Sequence, residues 1–187
     1  MDDETLRYDI PQVSEEENQV LMAPFSEDEV KMAIFDMEHN RSPGPDGFPA
    51  EFYQFFWEVV KPDFMSLFFE FHSGRLPIHS LNFGILTLLP KVTDAVQIQQ
   101  YRPICLLNVS FKIFTKVLNN RLLKLADKLI GPSQTAFILG RYIMEGVVTL
   151  HETIHELHRR KKDAIILKLY FEKAYDKLKW PFIQQVL

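Results

Sequence analysis

At 187 residues, 47% of them hydrophobic and 16 of them Phe, the chain has material for a packed core, as one domain or as one domain and part of another; this excludes a disordered polymer. No window approaches ~18 uninterrupted apolar residues and the opening Met1-Asp2-Asp3-Glu4 is acidic, so neither a membrane span nor a secretory signal is expected. The single Cys105 excludes an internal disulfide framework and suits a reducing compartment, and a net charge of −4 argues at first against a nucleic-acid partner.

The charge is unevenly spread. Residues 1–40 hold 12 acidic and 2 basic side chains, whereas residues 41–187 hold 13 acidic and 19 basic. Behind an acidic leader (1–24), which reads as loosely ordered, the chain is mildly basic, and that permits contact with nucleic acid. Ser26-Glu27-Asp28-Glu29 is a capping box opening a helix with Val30, Ala33, Ile34 and Met37 on one face. Arg41-Ser-Pro-Gly-Pro-Asp-Gly-Phe-Pro49 follows as a turn-dense loop, a rigid connector by its Pro and Gly content. Behind Pro49, Phe52, Phe56, Val59 and Val60 form an apolar stripe that Phe64, Leu67, Phe68 and Phe71 resume after Lys61-Pro62. This predicts two helices or one kinked helix closing near Gly74, with the Phe stripe packed in the core rather than serving as a stacking platform.

Gly84 to Pro90 predicts a strand, and Tyr101 to Asn108 a second, together a hairpin over about 84–107 with Lys91 and Arg102 at adjoining ends. Such cations are either solvated surface charges or phosphate holders, Lys as a point charge and Arg as a bidentate fork. Ser110 to Ile130 predicts a long helix with Phe114, Val117, Leu118, Leu122, Leu125 and Leu129 on its apolar face. Lys112, Lys116, Lys124 and Lys128 fall opposite, as a solvated face or one that could lie along a phosphate backbone. Gly131-Pro132 stops it, and Ile143 to Lys162 forms a further helix with Val147, Leu150, Ile154 and Leu157 inward. Ala164 to Asp176, A-I-I-L-K-L-Y-F-E-K-A-Y-D, reads as a strand passing into an acidic turn: an ordinary core strand, or a platform for metal and phosphate chemistry.

Several of these stretches resemble one family. Ser42 to Tyr53 is similar, nearly letter for letter, to the segment before the fingers of reverse transcriptases from plant LINE-type (non-LTR) retrotransposons. Leu88-Leu-Pro-Lys91 and Tyr101-Arg-Pro-Ile-Cys-Leu-Leu-Asn108 resemble the finger motifs, and Gln134-Thr-Ala-Phe137 with Gly140-Arg141 resembles Gln-x-Ala-Phe-x-x-Gly-Arg. Tyr170 to Asp176 resembles the first palm motif, Asp-Phe-x-Lys-Ala-Tyr-Asp.

The resemblance implies an α+β, mostly helical fold: the fingers and the beginning of the palm of a right-hand polymerase, truncated, with fingers over 25–163 and the first palm strand and following helix over 164–187. It implies nucleotide-binding roles for Lys91, Arg102, Phe171 and Tyr175 and nucleic-acid-binding roles for Gln134, Gly140 and Arg141. The partners implied are an RNA/DNA template–primer and dNTPs, with Mg2+ as cofactor. The first Asp of the family motif binds that metal, and here it is Tyr170. A phenol of pKa near ~10 is neutral at pH 7 and a poor ligand for a hard cation, so no catalytic or metal residue is expected to be intact. With the later palm motifs also past Leu187, the chain is expected to be an inactive member of an RNA-directed DNA polymerase family. An unpaired palm edge is further expected to expose apolar surface and promote self-association. No localisation signal is read.

Two alternatives stand beside this. One is a non-catalytic nucleic-acid-binding remnant. The other is a zinc hydrolase built on His151-Glu152-Thr-Ile-His155, a formal H-E-x-x-H whose two imidazoles fall one helical turn apart. The zinc site lacks an evident third protein ligand, and His158 stands where an extended zincin motif needs Gly.

Overall fold

Two serine-led signals open the fold. In the computed structural model, which describes residues 11–170 and 177–186, Ser14 caps α1 (Glu15–Met22) and Ser26 caps α2 (Glu27–Phe35). In both boxes the serine hydroxyl accepts from the backbone N–H of the third helical residue, whose glutamate reaches back to the serine N–H. Each cap is worth about 1 kcal/mol. Within the acidic leader, Glu15–Met22 is thus helical: Ser14-Glu-Glu-Glu17 carries the same signal as Ser26 to Glu29.

The chain divides into two units, one through Gln134 and one from Thr135. In the first, α1 and α2 are followed by α3 (Ala50–Phe55), α4 (Trp57–His72), the single turn α5 (Ile78–Leu81), strand β1 (Gly84–Pro90), strand β2 (Tyr101–Leu107) and α6 (Val109–Leu129). The core lies between α2, α3, α4 and α6. Val30, Ala33 and Ile34 of α2 are fully buried against Trp57, Phe64 and Phe68 of α4 and Ile113, Phe114 and Val117 of α6. Phe114 is the aromatic hub: it stacks on Phe68 at 5.3 Å between ring centres and meets Phe71 edge-on at 4.8 Å.

The Phe stripe enters this core only in part. The helix breaks at Phe56 (φ −98°, ψ 25°) rather than at Pro62, which sits inside α4. That break shifts the buried row to Ala50, Tyr53 and Trp57, leaving Phe56 and Val59 exposed. Past His72, the Gly74 N–H reaches Phe71 O at 2.9 Å and the Arg75 N–H reaches Glu70 O at 2.9 Å, a Schellman closure that needs Gly74 at φ +70°.

Two further expectations are corrected in α6. Its buried row is Val109, Ile113, Phe114, Val117 and Arg121, so Leu122 and Leu129 face outward. Its lysines are not a free basic face. Lys116 pairs with Asp36 at 2.6 Å, Lys128 with Glu17 at 2.6 Å, and Lys112 Nζ donates to Ser42 O at 3.3 Å.

Arg121, 6% exposed, is the one charged residue among the described residues that is buried. All five of its N–H donors are used. Nε and Nη2 clasp the Glu29 carboxylate at 2.8 Å each, while Nη1 and Nη2 donate to the carbonyls of Leu21, Ala23 and Pro24 at 2.9, 2.5 and 3.0 Å. The guanidinium also lies 3.9 Å over the Phe25 ring. One side chain of α6 thus ties down the α1–α2 connection and the capping glutamate of α2.

Arg121's hydrogen bonds, joined by that of the Ser26 N–H, hold the Glu29 carboxyl down to about 2 against burial that would raise it. A folded pKa below the ordinary value means that stability is full above pH ~4.5 and is lost as pH falls toward 2. Because the Glu29 side chain is 32% exposed, the loss is discounted for solvent screening to roughly 1–2 kcal/mol. Denaturant midpoints at pH 6 and pH 3 should show that drop in the native chain and a smaller one in Glu29→Gln; equal drops would remove Glu29 as its source.

In the second unit, α7 (Ile143–Arg159) and α8 (Trp180–Val186) are the helices among the described residues. Thr135 Oγ1 crowds Gly146 of α7, 3.1 Å from where a Cβ would stand. Arg159 and Arg160 both clasp Glu156, at 2.8 and 2.5 Å. Among the described residues none of the buried core falls in this unit, and Val147, Leu150 and Ile154 of α7 stay about half exposed. Residues 164–170 form no strand: a ladder needs a partner, and none of the described residues supplies one. Ile165, Leu167 and Leu169 are exposed instead. Among the described residues no helix is long and apolar enough to cross a membrane.

Candidate nucleotide and nucleic-acid interface

β1 and β2 pair antiparallel in the register Gly84↔Leu107 through Pro90↔Tyr101, so Leu89 faces Arg102. Paired residues share a face, and Lys91, two positions beyond Leu89, returns to the face of Arg102. The ladder runs on to that point, because the Lys91 N–H donates to Gln100 O at 2.7 Å. The two exposed residues therefore sit diagonally across one end of the hairpin, their backbone positions roughly 7–8 Å apart. Among the described residues neither has a salt-bridge partner, in contrast to Lys61, Lys116, Arg121 and Lys128 of the same unit.

The loop joining the strands is stapled from within. Gln100 Oε1 accepts from the N–H groups of Val96 and Gln97 at 2.7 and 2.8 Å, and the Tyr101 hydroxyl donates to Ala95 O at 2.7 Å. Lys91 Nζ donates to Gln99 O at 2.9 Å, which draws the ammonium toward the loop end.

The other sequence-predicted positions fall elsewhere. Gln134, exposed, closes the first unit, its N–H on Gly131 O at 3.1 Å; Gly140 (φ +81°) and the half-buried Arg141 belong to a turn of the second. Tyr170 ends the described stretch at 87% exposure, and Phe171 and Tyr175 lie outside the described residues.

His151 and His155 lie on the exposed face of α7, one turn apart. Among the described residues no three His, Cys, Asp or Glu side chains gather to hold a metal. Tyr170 offers a solvent-facing phenol rather than the carboxylate oxygen that Mg2+ favours, so this side chain does not fit that ion. What the sequence did not single out is Asn108, which ends the β2 arm. An Asn just ahead of a helical run is a cap signal, but here its side chain makes no capping bond to α6.

Comparison with known proteins bears on these positions. The reverse transcriptase (RNA-dependent DNA polymerase) family matches residues 89–187, a span that includes Lys91, Arg102, Arg141 and Tyr170. The transposon TX1 uncharacterized 149 kDa protein of Xenopus laevis is 37% identical over 170 residues, covering 90% of this chain and 13% of that protein. The retrovirus-related Pol polyproteins from type-1 retrotransposable elements R1 of Bradysia coprophila and R2 of Nasonia vitripennis are 29% and 26% identical, over 82% and 83% of this chain and 15% and 14% of theirs. The chain thus spans about one-seventh of the length of these relatives. It belongs to the reverse transcriptase family and forms a domain of the non-LTR retrotransposon type.

Proposed function

We propose that the chain is the fingers and opening palm segment of a retrotransposon reverse transcriptase that does not itself carry out nucleotidyl transfer. Tyr170 carries this reading. Two-metal phosphoryl transfer draws its power from carboxylates that hold paired ions ~4 Å apart against the attacking and leaving oxygens. A tyrosine at the first of those positions removes an anionic ligand that no neutral phenol replaces. Incubated with an RNA template, a DNA primer, dNTPs and Mg2+ or Mn2+, the purified chain is expected to give no extended product. Template-directed extension, abolished by heat, overturns the reading.

A second reading, favoured by the exposed Lys91 and Arg102 on one hairpin face, is that binding outlives the chemistry. Phosphate contact needs only placed cations and does not depend on the palm carboxylate. The resemblance of Ser42 to Tyr53 to plant LINE elements supports a plant element as the source. The zinc hydrolase reading has nothing beyond the His151–His155 spacing behind it and is not proposed.

A further inference from the structure

The β1–β2 hairpin projects. Ile85, Leu86, Leu88, Leu89 and Ile104 on its two faces are all 40% exposed or more, so neither face is packed away. Along its flank a groove of about 860 Å³, lined by Arg41, Ser42, Cys105, Leu106 and Lys112 among others, separates β2 from the helical body. Where β2 turns into α6, at Asn108, the gap closes.

There the Arg41–Pro49 loop presses against the turn. Gly44 lies so close that a Cβ would fall 2.4 Å from both Cα and N of Asn108 and 2.5 Å from its Oδ1. Asn108 leaves its own helix uncapped, and its Oδ1 accepts from the Asp46 N–H at 3.2 Å, 62 positions away in the chain. Lys112, one turn into α6, reaches back to Ser42 O. The loop is also fixed from its other side: the Asn40 N–H donates to Glu51 Oε1 at 2.6 Å, and Gln54 Nε2 donates to the carbonyls of Ile34 and Met37 at 3.0 and 3.2 Å.

We infer that this loop is a brace for the phosphate-binding arm, with Gly44 and Asn108 as positioning residues that set where Lys91 and Arg102 stand. The inference rests on the reading of those two cations as phosphate contacts. A hairpin with open faces pivots at its joint unless something fixes the joint, and a rigid Pro-Gly-Pro turn locked to the backbone of Asn108 does so. Only glycine allows the approach at position 44, through its missing Cβ rather than through an unusual φ.

The test compares variants of the full chain by amide hydrogen exchange and by affinity for an RNA–DNA template–primer. Gly44→Ala puts a methyl into Asn108 and nothing else. It is expected to speed exchange across β1 and β2 at least about 10-fold and to weaken binding about 3–10-fold, while exchange in α2, α4 and the centre of α6 is unchanged. Gly47→Ala is the control for loop strain, since Gly47 sits at φ +75° with open space around it, and should leave hairpin exchange as in the native chain. Should Gly44→Ala fail to fold, Asn108→Ala reads the same joint by deleting the acceptor, and Asn108→Asp, which keeps it, should restore protection. Native hairpin exchange in Gly44→Ala or in Asn108→Ala overturns the brace. Arg102→Ala separates the two ideas: it should lose affinity with hairpin exchange unchanged, and if it binds as the native chain does, the phosphate reading fails while the brace is still judged by exchange.

Discussion

Replacing Arg121 with alanine is expected to destabilise the first unit by about 3–5 kcal/mol. The figure follows from what the change leaves behind rather than from what the pair contributes. A buried guanidinium that spends every donor has two kinds of partner here, the Glu29 carboxylate and the carbonyls of Leu21, Ala23 and Pro24. Removing it strands a half-buried anion and takes a donor from each carbonyl, costs that add to the loss of the ring contact with Phe25. The surface pair Lys128–Glu17, which also links α6 to α1, is screened by solvent, and Lys128→Ala should barely register. Arg121→Lys should fall between, because an ammonium offers three donors where five are in use. Urea denaturation followed by circular dichroism measures all three. An Arg121→Ala loss below about 1 kcal/mol would show that water satisfies the site and that the side chain ties nothing together.

The second large effect is expected at the hairpin. Changing both Lys91 and Arg102 to alanine should weaken template–primer binding about 10- to 100-fold near 50 mM salt, because two phosphate contacts disappear together. The signature is in the salt dependence. Each lost contact lowers the slope of log affinity against log salt by about 1, so the native chain should be visibly steeper than the double variant. Fluorescence anisotropy with a labelled RNA–DNA duplex between 50 and 200 mM salt reads both quantities. Parallel lines with equal intercepts would make these two cations ordinary solvated surface charge. The hairpin's register makes the pair a sharper test than α6, whose Lys116 and Lys128 already form salt bridges inside the protein.

What could be read ahead of the structure follows the range of the interaction. Ser26 and Glu29 mark the start of α2 because a capping box acts over three residues, and Val30, Ala33 and Ile34 are buried because helical spacing sets their face. Lys91 and Arg102 were legible as neighbours because a hairpin is nearly local. The misses are non-local. Glu29 has a second partner 92 positions away, and nothing near Arg121 in the sequence distinguishes it from the lysines that surround it. Burial of Arg121 turned the apolar face of α6 away from Leu122, just as the break at Phe56 turned the Phe stripe toward Tyr53 and Trp57. Residues 164–170 have the composition of a strand, but composition supplies only one side of a ladder. The Asn108 joint depends on Gly44 arriving from a distant loop, and a turn-rich sequence says that the loop is rigid without saying what it presses on.

Tyr170 and Arg121 also differ in what their loss would mean to the molecule as a whole. The phenol at 170 is almost fully bathed in solvent, so exchanging it with a carboxylate disturbs no packing and leaves no donor stranded. Arg121 allows no such freedom. In this architecture the two positions are separable, and the first can be changed without cost to the helical body. A chain of this design could therefore change at position 170 in one step while the helical body around Phe114 went on folding.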